Sequence, residues 1–138
     1  MPLRLFATAF LMTAIVTITA CQTSSEQTPG GPWVEAIGTA WSPQADPQGL
    51  ARNRAIEDAE EDARSKIRAQ FSQIEARPGV SLQKAMEDDP YVWSRIMGLL
   101  KATKSDQAQI DPQGKLTARV RLSLPQLRQI AIYAEEAA

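Results

Sequence analysis

Ser81-Leu-Gln-Lys84 is where a hydroxyl and an amine stand at a catalytic spacing, the S-x-x-K arrangement in which a lysine supports acylation of a nearby serine. Its companions fail. Ser105-Asp106-Gln107 is a near miss for the second element, no K-T-G follows, and a helix start explains Ser81 better, because a serine hydroxyl caps free backbone N–H groups. The chain has no histidine, so a Ser-His-Asp triad, a Cys-His pair and an imidazole metal site are all closed to it. Its single cysteine, Cys21, has no partner within the chain for a disulfide. The acidic run Glu57, Asp58, Glu60, Glu61 and Asp62 lies in a helical pattern, which splays carboxylates that a calcium ion would need to converge. Together with Arg64, Lys66 and Arg68 it is expected to form a solvated face, with Glu60–Arg64 and Asp62–Lys66 paired at i, i+4. The expectation is therefore a protein with no catalytic residues, no metal and no cofactor. A net charge of −1 and 6% aromatic residues give neither the basic field nor the stacking platforms of a nucleic-acid binder.

Cys21 stands at a boundary. Before it, Arg4 is followed by an apolar run from Leu5 to about Ile18, which is shorter than the roughly 20 residues a bilayer span requires and fits an export signal. Ile18-Thr19-Ala20-Cys21 resembles the lipobox of bacterial lipoproteins: aliphatic, small, small, cysteine. That resemblance implies a cleaved signal peptide at residues 1–20, diacylation of the Cys21 sulfur, N-acylation of the new terminus, and anchoring in a membrane. Acyl chains contribute about 0.8 kcal/mol per buried methylene, so two or three hold a protein stably. Gln22, where an aspartate would favour retention in the inner membrane, points to the outer membrane, with the domain facing the periplasm. Residues 21–32, the lipidated Cys21 and "QTSSEQTPGGP", read as a flexible tether with a root-mean-square span of roughly 18 Å.

The elements that would carry any site lie in one domain, residues 33–138. "WVEAIGTA", from Trp33, predicts a strand with a close backbone approach at Gly38. Asp46-Pro47 supplies a helix start, and Ala51, Ala55, Ala59, Ala63, Ile67 and Phe71 form the inward stripe of a long helix whose small residues let it lie close to a sheet. "ARPGVS" ends it, and a second helical region over 80–100 is recapped at Asp89-Pro90. "DPQG" joins two strand arms, 102–110 and 115–124. In the second arm, Leu116, Ala118, Val120, Leu122 and Leu124 alternate with polar residues as in a half-buried antiparallel strand. Lys115, Arg119 and Arg121 fall on its outward side, where they serve edge protection or meet an acidic partner or cell-wall carboxylates. Trp33, Trp41 and Trp93 are expected in core and rim packing. Pro125 opens a terminal helix with Leu127, Ile130, Ala131 and Ala134 on one stripe. The fold class is α+β: a two-layer domain with a small antiparallel sheet packed by a long alanine-rich helix and a C-terminal helix.

The order "IGTA", a loop, "LARNRAIEDAEEDARSKI" and the hairpin "DPQGKLTARVRLSL" before a short helix resembles the LPP-twenty lipoprotein family, which includes the flagellar lipoprotein FlgP, and the FlgT N-terminal domain. The likeness covers roughly Trp33 to Ile132, and Ala40 stands where members often have a second glycine. It implies a non-catalytic outer-membrane lipoprotein with a structural or protein-interaction role, in some members within flagellum-associated assemblies, so a protein partner or self-association is expected. The competing expectation is a periplasmic ligand-binding module in which Arg119 and Arg121 recognise peptidoglycan or other anionic groups.

Overall fold

The computed structural model describes residues 31–42 and 49–136. Its elements run β1 (Trp33–Trp41), α1 (Leu50–Gln70), β2 (Glu75–Arg77), β3 (Val80–Ser81), α2 (Leu82–Asp88), α3 (Pro90–Ala102), β4 (Gln107–Ile110), β5 (Lys115–Ser123) and α4 (Leu124–Glu136). β1, β5 and β4 form an antiparallel sheet in that order, and β2 with β3 makes a separate small hairpin. The fold is α+β, as the pattern predicts. No described helix is long and apolar enough to cross a membrane.

α1 lies on the sheet because the residues between them are small. A Cβ placed on Gly38 would stand 1.8 Å from the Ala59 carbonyl oxygen and 2.5 Å from the Ala63 nitrogen, so only glycine fits. Ala55, Ala59 and Ala63 face it from the helix, and Ala118 is its register partner on β5. Beyond this seam the side chains grow, and Ile67 and Phe71 enter a core with Leu82, Ile96, Leu100, Val120 and Leu127. Each such burial contributes about 1.5–3 kcal/mol. Ala51 is only partly buried, and Ile56 flanks the seam.

Two boundaries differ from expectation. The predicted start at Asp46-Pro47 falls outside the described residues; the described helix starts at Leu50, behind Gly49 in the left-handed region at φ 70°. The first hairpin arm is four residues long instead of nine, because the backbone before it is occupied: the Thr103 carbonyl accepts from Arg64, and the Ser105 N–H donates to Glu60. The turn itself forms as expected, with Asp111 Oδ1 accepting from the N–H groups of Gln113 and Lys115, and Gly114 at φ 91°. The "ARPGVS" break is the β2–β3 hairpin, which the sequence reading leaves as a plain interruption. Ser81 and Asp89 cap α2 and α3, accepting from the N–H groups of Lys84 and Tyr91 at 3.2 and 2.7 Å.

Candidate interaction surface

Alternation along each strand sorts the sheet into two faces. On β1 the even positions Val34, Ala36, Gly38 and Ala40 turn to the helices, and on β5 Leu116, Ala118, Val120 and Leu122 do the same. The odd positions form the other face, and none of them is buried. That face carries Trp33, Ile37 and Trp41 at 50%, 48% and 70% exposure, four residues or two pleat repeats apart, in register with Ser123, Arg119 and Lys115. The expectation that these tryptophans pack into core and rim is corrected. Trp93 on α3 is also half exposed. The error has a simple origin: aromatic content signals burial only when the partner face is known, and here no second layer covers the odd positions among the described residues.

The charges on this face are organised around Asp106. Arg119 donates through Nε and an Nη to its two oxygens, each at 3.1 Å, and Arg121 pairs with it as well. The Arg119 hydrogen bond is the largest cause holding the Asp106 carboxyl below its ordinary value, and the same contact raises Arg119. Arg121 also lies over the Trp33 ring, 5.3 Å from its centroid, a cation–π contact. β5 is the central strand, so Arg119, Arg121 and Lys115 do not protect an edge, and the two arginines present themselves already engaged by a carboxylate.

The edge of β1 is protected from the helix instead. Gln70 Nε2 donates to the Glu35 carbonyl at 3.2 Å, Lys66 Nζ to the Ile37 carbonyl at 3.0 Å, and the Thr39 N–H donates to Asp62 at 2.9 Å. Donors and acceptor recur every fourth residue of α1 and every second residue of β1, so the helix supplies side chains where a neighbouring strand would supply backbone. The hydrogen bond from Lys66, followed by that from the Thr39 N–H, keeps the Asp62 carboxyl below its ordinary value.

Ser81 and Lys84 do not form a nucleophile and base. The serine oxygen caps α2, while Lys84 Nζ bonds Asp88 at 2.6 Å, and that hydrogen bond raises the lysine, holding it protonated. The acidic run separates in space. Glu57, Asp58 and Glu61 are exposed as expected, but Glu60 and Arg64 are buried at 3% and 8% exposure, which corrects the solvated-face expectation for this pair. Glu60 accepts from the Ser105 N–H at 2.9 Å and hydroxyl at 2.8 Å and pairs with Arg64 at 3.0 Å, with Lys104 at its outer side. Burial is the largest single influence and works to raise the Glu60 carboxyl, but the two Ser105 bonds with Lys104 and Arg64 outweigh it and hold it low. The sequence signal was present: Glu60 and Arg64 each follow a ladder alanine, one position round the helix from the buried stripe. No group of three metal-binding side chains occurs among the described residues.

A shallow groove of about 480 Å³ runs between α1, α2 and α3 over Phe71, Met86, Trp93 and Met97. Its polar lining comprises Ser65, Arg68, Gln83 and Glu87. Cys21, the residue expected to carry lipid, lies outside the described residues. The fold and surface define a two-layer α+β domain with one sheet face open. No family model, curated protein or solved structure matches the chain.

Proposed function

We propose that this chain is a bacterial lipoprotein, held at the outer membrane through acylated Cys21 and facing the periplasm, whose domain has a non-catalytic structural or protein-interaction role. The observation that carries the interaction role is the open sheet face, where Trp33, Ile37 and Trp41 stand exposed in a row. Large apolar side chains gathered on one surface mark contact sites, whereas catalysis calls for a concave pocket with converging polar groups. The anchor rests on the lipobox-like Ile18-Thr19-Ala20-Cys21, the apolar run before it and the polar tether after it. The resemblance to the LPP-twenty lipoproteins supports the same placement and extends it to an envelope or flagellum-associated assembly. The outward side of α1 shows Glu57, Asp58 and Glu61 to solvent together with Arg54 and Arg68, a mixed-charge surface without exposed large apolar side chains in its middle.

The second reading, a module that binds cell-wall or other anionic groups through Arg119 and Arg121, is less favoured because an incoming anion would have to displace Asp106 from both. Cross-linking and light scattering on the acylated protein separate the two. Species larger than a monomer, or a cross-linked envelope protein, are expected. A monomer that instead co-sediments with purified peptidoglycan, and loses that ability in Arg119→Gln, would favour the second reading.

A further inference from the structure

The two edges of the three-stranded sheet are finished differently. On the β1 edge, side chains of α1 bond the outward backbone groups of Glu35, Ile37 and Thr39. β4, at the other edge, packs on β5, and all four of its residues are exposed. Its pairing fixes which backbone groups are open, because an antiparallel strand alternates residues that exchange bonds with their neighbour and residues that turn N–H and C=O away. β5 turns the Arg119 and Lys115 carbonyls toward β4, where they accept from the Asp106 and Asp111 N–H groups. Gln107 and Gln109, in register with Arg119 and Thr117, therefore bond β5, and Ala108 and Ile110 direct their N–H and C=O outward. Among the described residues no side chain bonds these four groups. Solitary edges are commonly guarded by a lysine or a proline, and Gln107-Ala-Gln-Ile110 has neither.

This edge is complementary to itself. Turned about a two-fold axis through Gln109, a second copy sets its Ile110 opposite Ala108 and its Ala108 opposite Ile110, and the outward groups of both strands are all paired in four hydrogen bonds. The neighbouring registers do less, since the Asp106 N–H is spent on the Arg119 carbonyl and Pro112 has no N–H. Ile110, 43% exposed on the helix side of the sheet, gains the second copy's Ala108 as a cross-strand neighbour. No like charges come face to face, because β4 is uncharged and the Asp111 carboxylate is turned into its own loop. The outer strands of the resulting six-stranded sheet are the two β1 strands, whose edges α1 covers, so the assembly closes at two copies instead of growing into a fibre.

We propose that β4 is the contact edge for a second copy of this chain, paired antiparallel about Gln109 in a closed dimer. The pairing goes beyond the interaction role given to the open sheet face and leaves that face uncovered: the two faces lie on one side of the joined sheet, with their tryptophan rows five strand spacings, about 24 Å, apart. The experiment uses the purified full chain carrying Cys21→Ser, so that an introduced thiol is the only one and the result is separate from the anchor. After mild oxidation, Gln109→Cys is expected to give at least about fivefold more disulfide-linked dimer than Thr39→Cys on the open face near the covered edge, because residues opposed in a non-hydrogen-bonded pair bring their Cα atoms within disulfide reach. Adding Ala108→Pro, which removes an outward N–H and no bond to β5, should lower the Gln109→Cys dimer to the Thr39→Cys level with circular dichroism unchanged. If the proline variant loses its native spectrum, Ile110→Lys, which places a charge on the same edge, takes its place with the same expected loss. Equal cross-linking at the two positions, or a Gln109→Cys dimer that persists in the folded edge variant, overturns the proposal. More dimer from Thr39→Cys also overturns it and gives the open face to the second copy. No dimer from either overturns it and leaves the β4 edge to an extended segment of another protein.

Discussion

Glu60 and Arg64 are held by the backbone of the segment that precedes β4, so their pairing ties α1 to a chain forty residues away. Removing one member leaves the other charge with little water to solvate it. Glu60→Ala is expected to lower unfolding free energy by about 3 kcal/mol in urea titration, near the lower end for a broken buried pair, because Arg64 retains the Thr103 carbonyl and Glu61. The pair also sets an acid limit. Glu60 titrates lower in the folded protein than its ordinary value of 4.5, so the unfolded chain binds the extra proton first as pH falls. Its contribution is complete above about pH 4.5 and is lost below it as pH falls through the folded value; Glu60→Gln should show a shallower loss of stability over that acid range than the unsubstituted protein. At this scale the sequence was half legible. The i, i+4 pairings Glu60–Arg64 and Asp62–Lys66 and the caps at Ser81 and Asp89 follow from local spacing, and all four form. The place of Glu60 one position round the helix from the alanine stripe is a local sign of its burial, but its partner Ser105 arrives from a distant segment, which no local pattern encodes.

Among the elements, the seam between β1 and α1 was the most readable feature, because a glycine in a strand and alanines at helical spacing are two halves of one steric requirement. Gly38→Ala is expected to cost about 3 kcal/mol or prevent folding, since the obstacle is the α1 backbone at Ala59 and Ala63, which cannot rotate away; thermal denaturation reads the effect. The edge contacts of Asp62, Lys66 and Gln70 could not be seen in advance, because side chains on a polar helical stripe give no sign of reaching a strand's backbone. Replacing all three by alanine should leave helical circular dichroism intact and make light scattering rise with protein concentration, as an uncovered β1 edge pairs between molecules. Scattering that stays flat would mean the edge needs no cover. The shortened β4 has a similar cause: the strand pattern of 102–110 is real, but tertiary contacts at Thr103 and Ser105 claim the backbone first.

At the scale of the whole molecule, alternation on β5 gave the layer order, and α1 covers the face that it marks as apolar. It could not give the openness of the opposite face, since exposed tryptophans look like core residues until the missing layer is known. The domain thus presents a tryptophan- and arginine-bearing sheet face on one side and the mixed-charge outward side of α1 on the other. Everything proposed for its role depends on what happens at Cys21. Cells expressing the protein and fed radiolabelled palmitate should yield a labelled, processed species in the membrane fraction, and Cys21→Ser should abolish the label and leave the chain unprocessed or soluble. Label that persists in Cys21→Ser, or an unsubstituted protein that never acquires it, would contradict the account.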